Sequence, residues 1–260
     1  MENNSPVVSI ITPAYNCEGT LSETIQSVQA QVFLDWEMII VDDGSVDGTF
    51  ALAESYAAED SRVRVFQMEA NQGAGPARNF GIELARGRFL AFLDSDDLWY
   101  KDKLYSQVNF MIENDVVFSY HDYDVVDEWG EVINRVLSPN FFYWKDYIKN
   151  TAIGVLSIII DRNEVSIPKM ASQPATEAVN VWVSVMRDHG AAIKAPGCYS
   201  SYRIRRGSVS RNKIRSAYWY WRSLVDNVGL SRLYSSYVVC IAASRSLVKN
   251  NNLLKAILKK

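Results

Sequence analysis

The stretch Phe89-Leu90-Ala91-Phe92-Leu93-Asp94-Ser95-Asp96-Asp97 passes directly from apolar residues to carboxylates. A short unbroken apolar run is typical of a strand that is buried on both faces. Because side chains alternate along a strand, we expect Asp94 and Asp96 on one face and Asp97 on the other, capping the next helix. Hard cations such as Mg²⁺ and Mn²⁺ take oxygen ligands and share one or two carboxylates with substrate phosphates. The stretch therefore predicts a metal site at the end of a buried strand.

Short apolar runs alternate with helical segments over the first 120 residues. The predicted strands cover 7–12, 37–41, 63–68, 89–93 and 116–120, and the predicted helices cover 20–31, 48–58, 75–86 and 98–114. Thr20 and Glu23 have the spacing of a capping box at the first helix. Strand–helix alternation indicates an α/β fold with a mostly parallel sheet flanked by helices, whose ligands bind beyond the carboxyl ends of the strands.

The net charge of -3 is the sum of two opposite parts. Residues 1–202 hold 14 Lys and Arg against 29 Asp and Glu, a balance of -15, whereas residues 203–260 hold 13 basic residues against Asp226 alone, a balance of +12. Such a basic part favours a pyrophosphate, nucleic-acid or anionic-lipid partner. The longest apolar stretches, near 153–160 and 237–243, are shorter than the roughly 20 residues that span a bilayer.

The cysteines are odd in number, widely spaced and without the spacing of a metal finger. Cys17, Cys198 and Cys240 are therefore predicted to be reduced thiols, most simply buried ones. Together with an N-terminus that does not resemble a signal peptide, they favour the cytoplasm.

Three predicted strand ends carry polar motifs that should meet at one edge of the sheet. They are Thr12-Pro13-Ala14-Tyr15-Asn16, Val41-Asp42-Asp43-Gly44-Ser45 and Asp94-Ser95-Asp96-Asp97. At that edge Tyr15 can pack against a base, Asp43 can accept the imide N–H of uracil, and Asp94 can reach a ribose or a metal. Alone, the motif around Asp43 is typical of an ordinary turn, so its assignment depends on the other two.

A glycine-containing stretch, Asn71-Gln72-Gly73-Ala74-Gly75-Pro76-Ala77-Arg78-Asn79, precedes and begins the third predicted helix. Glycines at a helix N-terminus suit a phosphate or a close approach of backbone, although such loops are common. Arg78 is a candidate contact for a diphosphate.

The order of these four motifs resembles that of the family 2 glycosyltransferases, which are inverting enzymes of the Rossmann-like GT-A fold that use nucleotide-diphosphate sugars and a divalent metal. The resemblance is strong over residues 5–115 and weaker to about 212. It implies Mn²⁺ or Mg²⁺ as cofactor, bound by Asp94 and Asp96. The residues that it implies for nucleotide-sugar binding are Pro13, Tyr15, Asp43, Arg78, Asp94, Ser95 and Arg203.

Arg203 belongs to the stretch 202–210, which resembles the family's late Tyr-Arg segment that closes near the donor diphosphate. Its arginines would neutralise the departing nucleotide diphosphate. The alternative is a solvated basic face.

The resemblance also places the general base, usually the Asp of a Glu-Asp pair before a Trp-containing helix. Glu177 and Ala178 stand at those positions, ahead of Trp182. A methyl group cannot take a proton, and general-base catalysis contributes about 10²- to 10⁴-fold. We therefore expect either that Glu177 substitutes, or that this is an inactive form, natural or engineered.

The function that the resemblance implies is metal-dependent transfer of a hexosyl or N-acetylhexosaminyl group, most simply from a UDP-sugar, to a hydroxyl of a glycan or lipid-linked acceptor of a bacterial surface polysaccharide such as O-antigen or capsule. The alternatives are a nucleotide-sugar-binding protein without catalysis and a nucleotidyltransferase. No nucleic-acid partner is expected.

The predicted organisation is a GT-A domain over 1–212 followed by a basic, aromatic, helical extension over 213–260. Within the domain, residues 1–120 form the nucleotide-binding half and residues 121–212 the acceptor half. The extension is expected either to contact an anionic membrane surface, which would place a cytoplasmic protein peripherally on the inner face of the plasma membrane, or to pack in a homodimer.

Overall fold

The computed structural model describes residues 5–150, 152–173, 176–204 and 213–257. Its strands are β1 Val8–Ala14, β2 Trp36–Asp42, β3 Val63–Gln67, β4 Phe89–Phe92, β5 Leu98–Trp99, β6 Phe118–Val126, β7 Val132–Val136, β8 Phe141–Phe142, β9 Ile159–Asp161 and β10 Ala192–Arg203. Its α-helices are α1 Glu18–Gln29, α2 Thr49–Glu59, α3 Ala74–Leu84, α4 Lys103–Glu113, α5 Trp144–Tyr147, α6 Val179–His189, α7 Lys213–Arg222 and α8 Arg232–Ile257.

The strands of the described residues form one sheet in the order β3-β2-β1-β4-β9-β6-β10-β5, with β7 paired to β6 and β8 paired to β10. Strands β3, β2, β1 and β4 are parallel to one another, and β10 is parallel to β6. Strand β9 is antiparallel to both β4 and β6, and it joins the two halves of the sheet. The α/β class is confirmed, with the parallel pairing concentrated in the first half.

Strands β1 and β2 are buried at every residue because helices cover both faces of the sheet. Alternate side chains enter two separate clusters of the core, with Ile11 and Ile39 in one and Ile10 and Met38 in the other. Helices α3 and α6 contribute to the first cluster and helices α1 and α4 to the second. The carboxyl ends of β1, β2 and β4 consequently lie side by side at one edge of the sheet.

Several local predictions need correction. The helix expected over 98–114 begins only at Lys103, because Leu98 and Trp99 form β5 and pair with Ser201 and Ser200 of β10. The residue before that helix is Asp102, so the prediction that Asp97 caps it is wrong. The Thr20–Glu23 capping box is also wrong, because α1 begins at Glu18 and Glu23 forms an ion pair with Arg203.

The second half of the chain also contributes strands to the sheet. Residues from 121 onwards continue β6 and form a hairpin with β7, while β10 runs for 12 residues with two register shifts. Helix α6 ends at His189 and is followed by Gly190, which adopts φ +93°. All three cysteines are free thiols, but only Cys17 is buried, and Cys240 is exposed.

The C-terminal extension is helical, as predicted, with α7 and α8 separated by a π-helical turn over Ser223–Asn227. Its inner face packs on the domain through Leu224, Val228 and Val238, and the Tyr220 hydroxyl donates to Ile148 O at 2.6 Å. No helix in the described part of the chain is long and apolar enough to cross a membrane.

Two basic groups, Lys103 and His121, are buried between α4 and β6. Within the described residues, Lys103 Nζ and His121 Nε2 have no hydrogen-bond partner, and Lys103 Nζ lies 3.7 Å from the centroid of the Trp99 ring. Burial lowers the pKa of Lys103, while burial and the Lys103 charge lower the pKa of His121 to about 3. The fold therefore holds His121 as a neutral imidazole across the physiological range.

We expect the free energy of unfolding to fall by about 1–2 kcal/mol between pH 7 and pH 5 because of His121 alone. The unfolded histidine takes a proton near its ordinary pKa of about 6.5, whereas the folded one takes it only near pH 3. Urea unfolding of the His121→Phe variant should show a flatter dependence on pH in this window. The matched control is His189→Gln, which changes the chain's other, exposed histidine. Equal slopes for wild type and His121→Phe would contradict the account.

Candidate active site

Asn16 joins the loops after β1 and β2 by two hydrogen bonds. Its N–H donates to Ser45 Oγ at 2.9 Å, and its Oδ1 accepts from the Val46 N–H at 2.9 Å. Asn16 adopts φ +46°, a left-handed conformation that asparagine tolerates. Pro13 is buried in β1, whereas the neighbouring Tyr15 is 47% exposed at the strand end. Tyr15 therefore presents an aromatic surface at the edge of the sheet.

Asp43 is buried and fixed by backbone of the loop before α3. Its Oδ1 accepts from the Gln72 N–H at 2.8 Å, and its Oδ2 accepts from the Gly73 N–H at 2.7 Å. Gly73 adopts φ +96°, which favours glycine. Since each carboxylate oxygen has two lone pairs, Asp43 retains capacity to accept one more N–H from a ligand.

Arg78 lies on α3 beneath the end of β4, with only 5% of its surface exposed. Its Nη2 donates to Asp94 Oδ1 at 2.5 Å, and 32% of the Asp94 side chain remains accessible. Burial would lower the pKa of Arg78, but the charges of Asp94 and Glu177 outweigh it and raise the pKa. The structure thus places the predicted diphosphate contact behind Asp94, where it orients that carboxylate.

The last two carboxylates of the motif have different surroundings. Asp96 is partly exposed at the edge of the sheet, while Asp97 is buried and accepts from the Arg203 N–H at 3.0 Å. Burial, together with the charges of Asp94 and Asp96, raises the pKa of Asp97 well above its usual range. The loop therefore concentrates negative potential at its exposed side.

Ser95, which is partly exposed, lies near the start of α1. Burial raises the pKa of the Cys17 thiol at the start of α1, and the nearby Ser95 side chain acts in the opposite direction. The Thr24 hydroxyl on the same helix donates to Asp97 O at 3.0 Å. Helix α1 is therefore bonded to the backbone of the acidic loop.

Arg203, at the end of β10, reaches the acidic loop through its backbone bond to Asp97. Its buried guanidinium forms an ion pair with Glu23 of α1. The rest of the predicted Tyr-Arg segment, residues 205–210, lies outside the described residues. The role of Arg203 toward a diphosphate stays a prediction.

Glu177 and Ala178 lie at the start of α6, close to α3. Ala178 is 6% exposed and belongs to the core cluster, and its carbonyl accepts from the Trp182 N–H at 3.0 Å. Glu177 is half-buried, and its charge acts on Arg78. Glu177 Cβ and Cγ lie against Gly75 of α3, so the two positions before α6 offer a carboxylate near that helix and a buried methyl group.

The donor set of the acidic loop fits a divalent cation that shares its ligands with a phosphate. No three Asp, Glu, His or Cys side chains in the described ranges converge into a complete metal cage. Asp94 and Asp96 together supply the one or two carboxylates that Mg²⁺ commonly takes from a protein when substrate phosphates complete its shell.

Comparison with known proteins identifies the family to which this site belongs. The family model described as glycosyl transferase family 2 matches residues 9–162, which include the loops of Tyr15, Asp43 and Asp94. The chain belongs to this family.

Similar curated sequences extend the match over most of this glycosyltransferase. It is 38% identical over 222 residues to the putative teichuronic acid biosynthesis glycosyltransferase TuaG of Bacillus subtilis, which covers 85% of this chain and 88% of TuaG. It is 35% identical over 235 residues to the UDP-Glc:alpha-D-GlcNAc-diphosphoundecaprenol beta-1,3-glucosyltransferase WfgD of Escherichia coli, which covers 88% of this chain and 90% of WfgD.

Solved structures with the same architecture confirm the GT-A fold. TarS 1–349 of S. aureus in complex with UDP-GlcNAc superposes with a TM-score of 0.62 at 21% identity, covering 89% of this chain and 70% of that one. The mannosyltransferase PcManGT of Pyrobaculum calidifontis, in complex with GDP-Man and Mn²⁺, superposes with a TM-score of 0.64 at 15% identity, covering 92% of this chain and 74% of that one.

Two contacts near the site were not recognised in the sequence of the glycosyltransferase. Gly75 and Asn79, both on α3, contact residues 170–173 and 176–177, which we call the lead-in segment because they precede α6. Both residues stand in the quoted Gly-Pro-Ala-Arg-Asn motif. The only sequence signal was their spacing of four residues, which places them on one face of a helix.

Gly75 permits a close approach of backbone that a larger residue would prevent. A Cβ at Gly75 would lie 2.1 Å from Ala171 O and 3.1 Å from Glu177 Cβ. We expect Gly75→Ala to lower the free energy of unfolding by about 1–3 kcal/mol, since the lead-in segment must move. Gly19→Ala is the matched control, because a Cβ added at Gly19 would have no atom within 4 Å. Alanine in place of glycine stabilises a helix by up to about 1 kcal/mol. Urea unfolding of both variants checks this, and equal stability of the two would contradict it.

Proposed function

We propose that this glycosyltransferase transfers a sugar from a UDP-sugar, with inversion, to a hydroxyl of a glycan or lipid-linked acceptor in the synthesis of a bacterial surface polysaccharide. The observation that carries the proposal is the meeting of Tyr15, Asp43 and the Asp94 loop at one edge of a parallel sheet. The names of WfgD and of the TarS complexes support a UDP-sugar donor, and those of WfgD and TuaG support a lipid-linked or polymeric acceptor.

The donor would lie across the three strand ends. Tyr15 offers its exposed ring to the base, and the fixed Asp43 carboxylate accepts the imide N–H of uracil. Cytosine and adenine carry an unprotonated ring nitrogen in place of this N–H and would leave the buried Asp43 carboxylate unpaired, so the site should prefer uridine to cytidine or adenosine. Pro13 supports Tyr15 from within β1.

Asp94 and Asp96 would hold Mn²⁺ or Mg²⁺ against the diphosphate. When bound, such a cation offsets the charge that develops on the leaving nucleotide diphosphate. The contribution of Arg78 is to hold Asp94 by its 2.5 Å bond, so the carboxylate needs little reorganisation to bind a ligand. Arg203 would add positive charge on the opposite side of the loop.

Glu177 is the candidate general base, because it supplies a half-buried carboxylate at the start of α6 where Ala178 supplies only a methyl group. It would take the proton of the acceptor hydroxyl as that oxygen attacks the anomeric carbon from the face opposite the diphosphate. The rival is a nucleotide-sugar-binding protein without catalysis, which Ala178 favours.

The donor assignment predicts transfer or hydrolysis of a UDP-sugar that requires Mn²⁺ or Mg²⁺ and stops with a chelator. A panel of radiolabelled UDP-, GDP- and dTDP-sugars, with a lipid-linked GlcNAc-diphosphate acceptor, provides the measurement. We expect thermal stabilisation by UDP with metal to exceed that by CDP with metal, because cytosine cannot donate the ring N–H to Asp43 and stabilisation rises with affinity. Stabilisation by no nucleotide in any metal would refute the site.

The base assignment predicts opposite effects at the two neighbouring positions. Glu177→Gln should lower kcat by roughly 10²-fold or more with little change in donor affinity, because only the proton acceptor is removed. Ala178→Asp should raise kcat if the expected position is the more effective one, and Ala178→Asn is its control of similar size. Full activity of Glu177→Gln would exclude Glu177 as the base, and donor binding without transfer in every variant would favour the non-catalytic rival.

We also propose that the extension over 213–260 contacts an anionic membrane on the cytoplasmic side, where it would bring the active site to a lipid-linked acceptor. Ile214, Tyr218, Leu233 and Tyr237 are large apolar residues exposed on α7 and α8, on a part of the chain with a large excess of basic residues. Aromatic and basic residues together are typical of interfacial helices. The division of the chain at about residue 212 is part of this proposal.

Sedimentation with vesicles tests the membrane proposal. Vesicles containing anionic phospholipid should retain the protein at low salt and release it as salt screens the attraction, whereas neutral vesicles should retain less. Leu233→Ser should weaken binding, and Val132→Ser, an exposed apolar residue of β7, is the matched control. Equal sedimentation with both vesicle types would remove the proposal, and a concentration-dependent dimer lost in Leu233→Ser would assign these helices to a homodimer instead.

A further inference from the structure

Asn79 makes an unusual pair of contacts with a segment 91 residues later in the chain. Its Nδ2 donates to Met170 O at 2.9 Å, and the Met170 N–H donates to its Oδ1 at 2.8 Å. The Asn79 amide thereby pairs with both the N–H and the C=O of Met170, in the way that the backbone of a neighbouring strand pairs with a residue in a sheet. These bonds tie α3 to the first residue of the lead-in segment.

The lead-in segment carries this constraint to Glu177. The Ala171 N–H, one residue after Met170, donates to Glu177 O at 2.8 Å. Asn79 is therefore linked to Glu177 through Met170 and Ala171. Gly75 brings α3 against the same two residues, since a Cβ there would meet Ala171 O and Glu177 Cβ. Gly75 and Asn79 are four residues apart on the helix, and Arg78 between them interacts with the Glu177 charge.

Other contacts hold the lead-in segment more weakly or farther from Glu177. The Asn180 amide donates to Lys169 O at 2.8 Å, which is one residue before the segment. On its outer side, Asn227 Nδ2 donates to Gln173 Oε1 at 3.0 Å, and the Ser223 hydroxyl donates to Thr176 O at 3.4 Å. Among these side chains, Asn79 is the one with two bonds to the backbone of the segment.

We propose that Asn79 is a positioning residue, which acts through Met170 and Ala171 to hold the backbone of Glu177 against α3 and so to fix where its carboxylate lies in the site. The inference rests on the proposed function, because it assumes that the general base is the carboxylate at position 177 or one placed at position 178. It extends the function of the Gly-Pro-Ala-Arg-Asn motif from the donor to the acceptor side of the reaction.

The first experiment tests the Asn79–Met170 hydrogen bonds by a measurement that does not depend on enzyme activity. Amide hydrogen exchange of Met170 and Ala171 should be faster in Asn79→Ala than in wild type. Asn79→Asp keeps an oxygen for the Met170 N–H but loses the donor to Met170 O, so its exchange should be intermediate. Asn114→Ala is the matched control, because Asn114 Nδ2 donates to a backbone carbonyl, Phe110 O, at 2.8 Å at the end of a helix. Unchanged exchange in Asn79→Ala would overturn the proposal.

The second experiment measures the consequence for transfer. We expect kcat to fall about 10- to 100-fold in Asn79→Ala, because a misplaced catalytic group loses effective concentration, with the KM for the UDP-sugar within about two-fold of wild type. Asn79→Asp should recover part of kcat. The same series in the Ala178→Asp background should show the same ratio, since the lead-in segment positions either carboxylate.

A merely structural role would give a lower melting temperature with kcat unchanged below it, and that result would overturn the proposal. If neither background transfers sugar, the proposed function fails, and crystal structures then decide the inference by themselves. A displaced Glu177 carboxylate in Asn79→Ala would support it, and an unmoved one would refute it.

Discussion

The buried contact between Arg78 and Asp94 is the interaction on which the arrangement of the site depends. A guanidinium with 5% exposure must be compensated, and the compensating charges come from the end of β4 and from the start of α6. The buried Arg78 guanidinium on α3 thus interacts with the charges of Asp94 after β4 and of Glu177 in the lead-in segment. The orientation of Asp94 follows from this requirement, while Glu177 is placed by the Ala171 N–H bond to its carbonyl and by its packing against Gly75.

The second constraint is the parallel pairing of β1, β2 and β4, which brings three loops to one edge of the sheet. Each loop is then fixed by polar contacts to another: Asn16 joins the first two, and Asp43 joins the second to the start of α3. Asp97 joins the acidic loop to β10 through the Arg203 N–H. The fold therefore supplies carboxylates that are already oriented and leaves their outer sides to a ligand.

Much of the fold was predictable because its strands are apolar runs with local boundaries. The strand before Asp94 and the turn at Asp43 needed only the residues around them. The failures share a different cause, which is a partner distant in sequence. Glu23 would have served a capping box, but Arg203, 180 residues later, takes it as an ion-pair partner, and the Met170 contact of Asn79 spans 91 residues. Local spacing carries no information about such contacts.

The central claim is that Asp94 and Asp96 hold a cation against a nucleotide diphosphate at the carboxyl edge of the sheet. Its most direct test is a crystal structure with UDP and Mn²⁺, with anomalous data collected for manganese. The account predicts one anomalous peak within coordination distance of a carboxylate oxygen of Asp94 or Asp96 and of a diphosphate oxygen, with uracil beside Tyr15 and Asp43. A diphosphate bound elsewhere, or manganese with no carboxylate of this loop among its ligands, would contradict it.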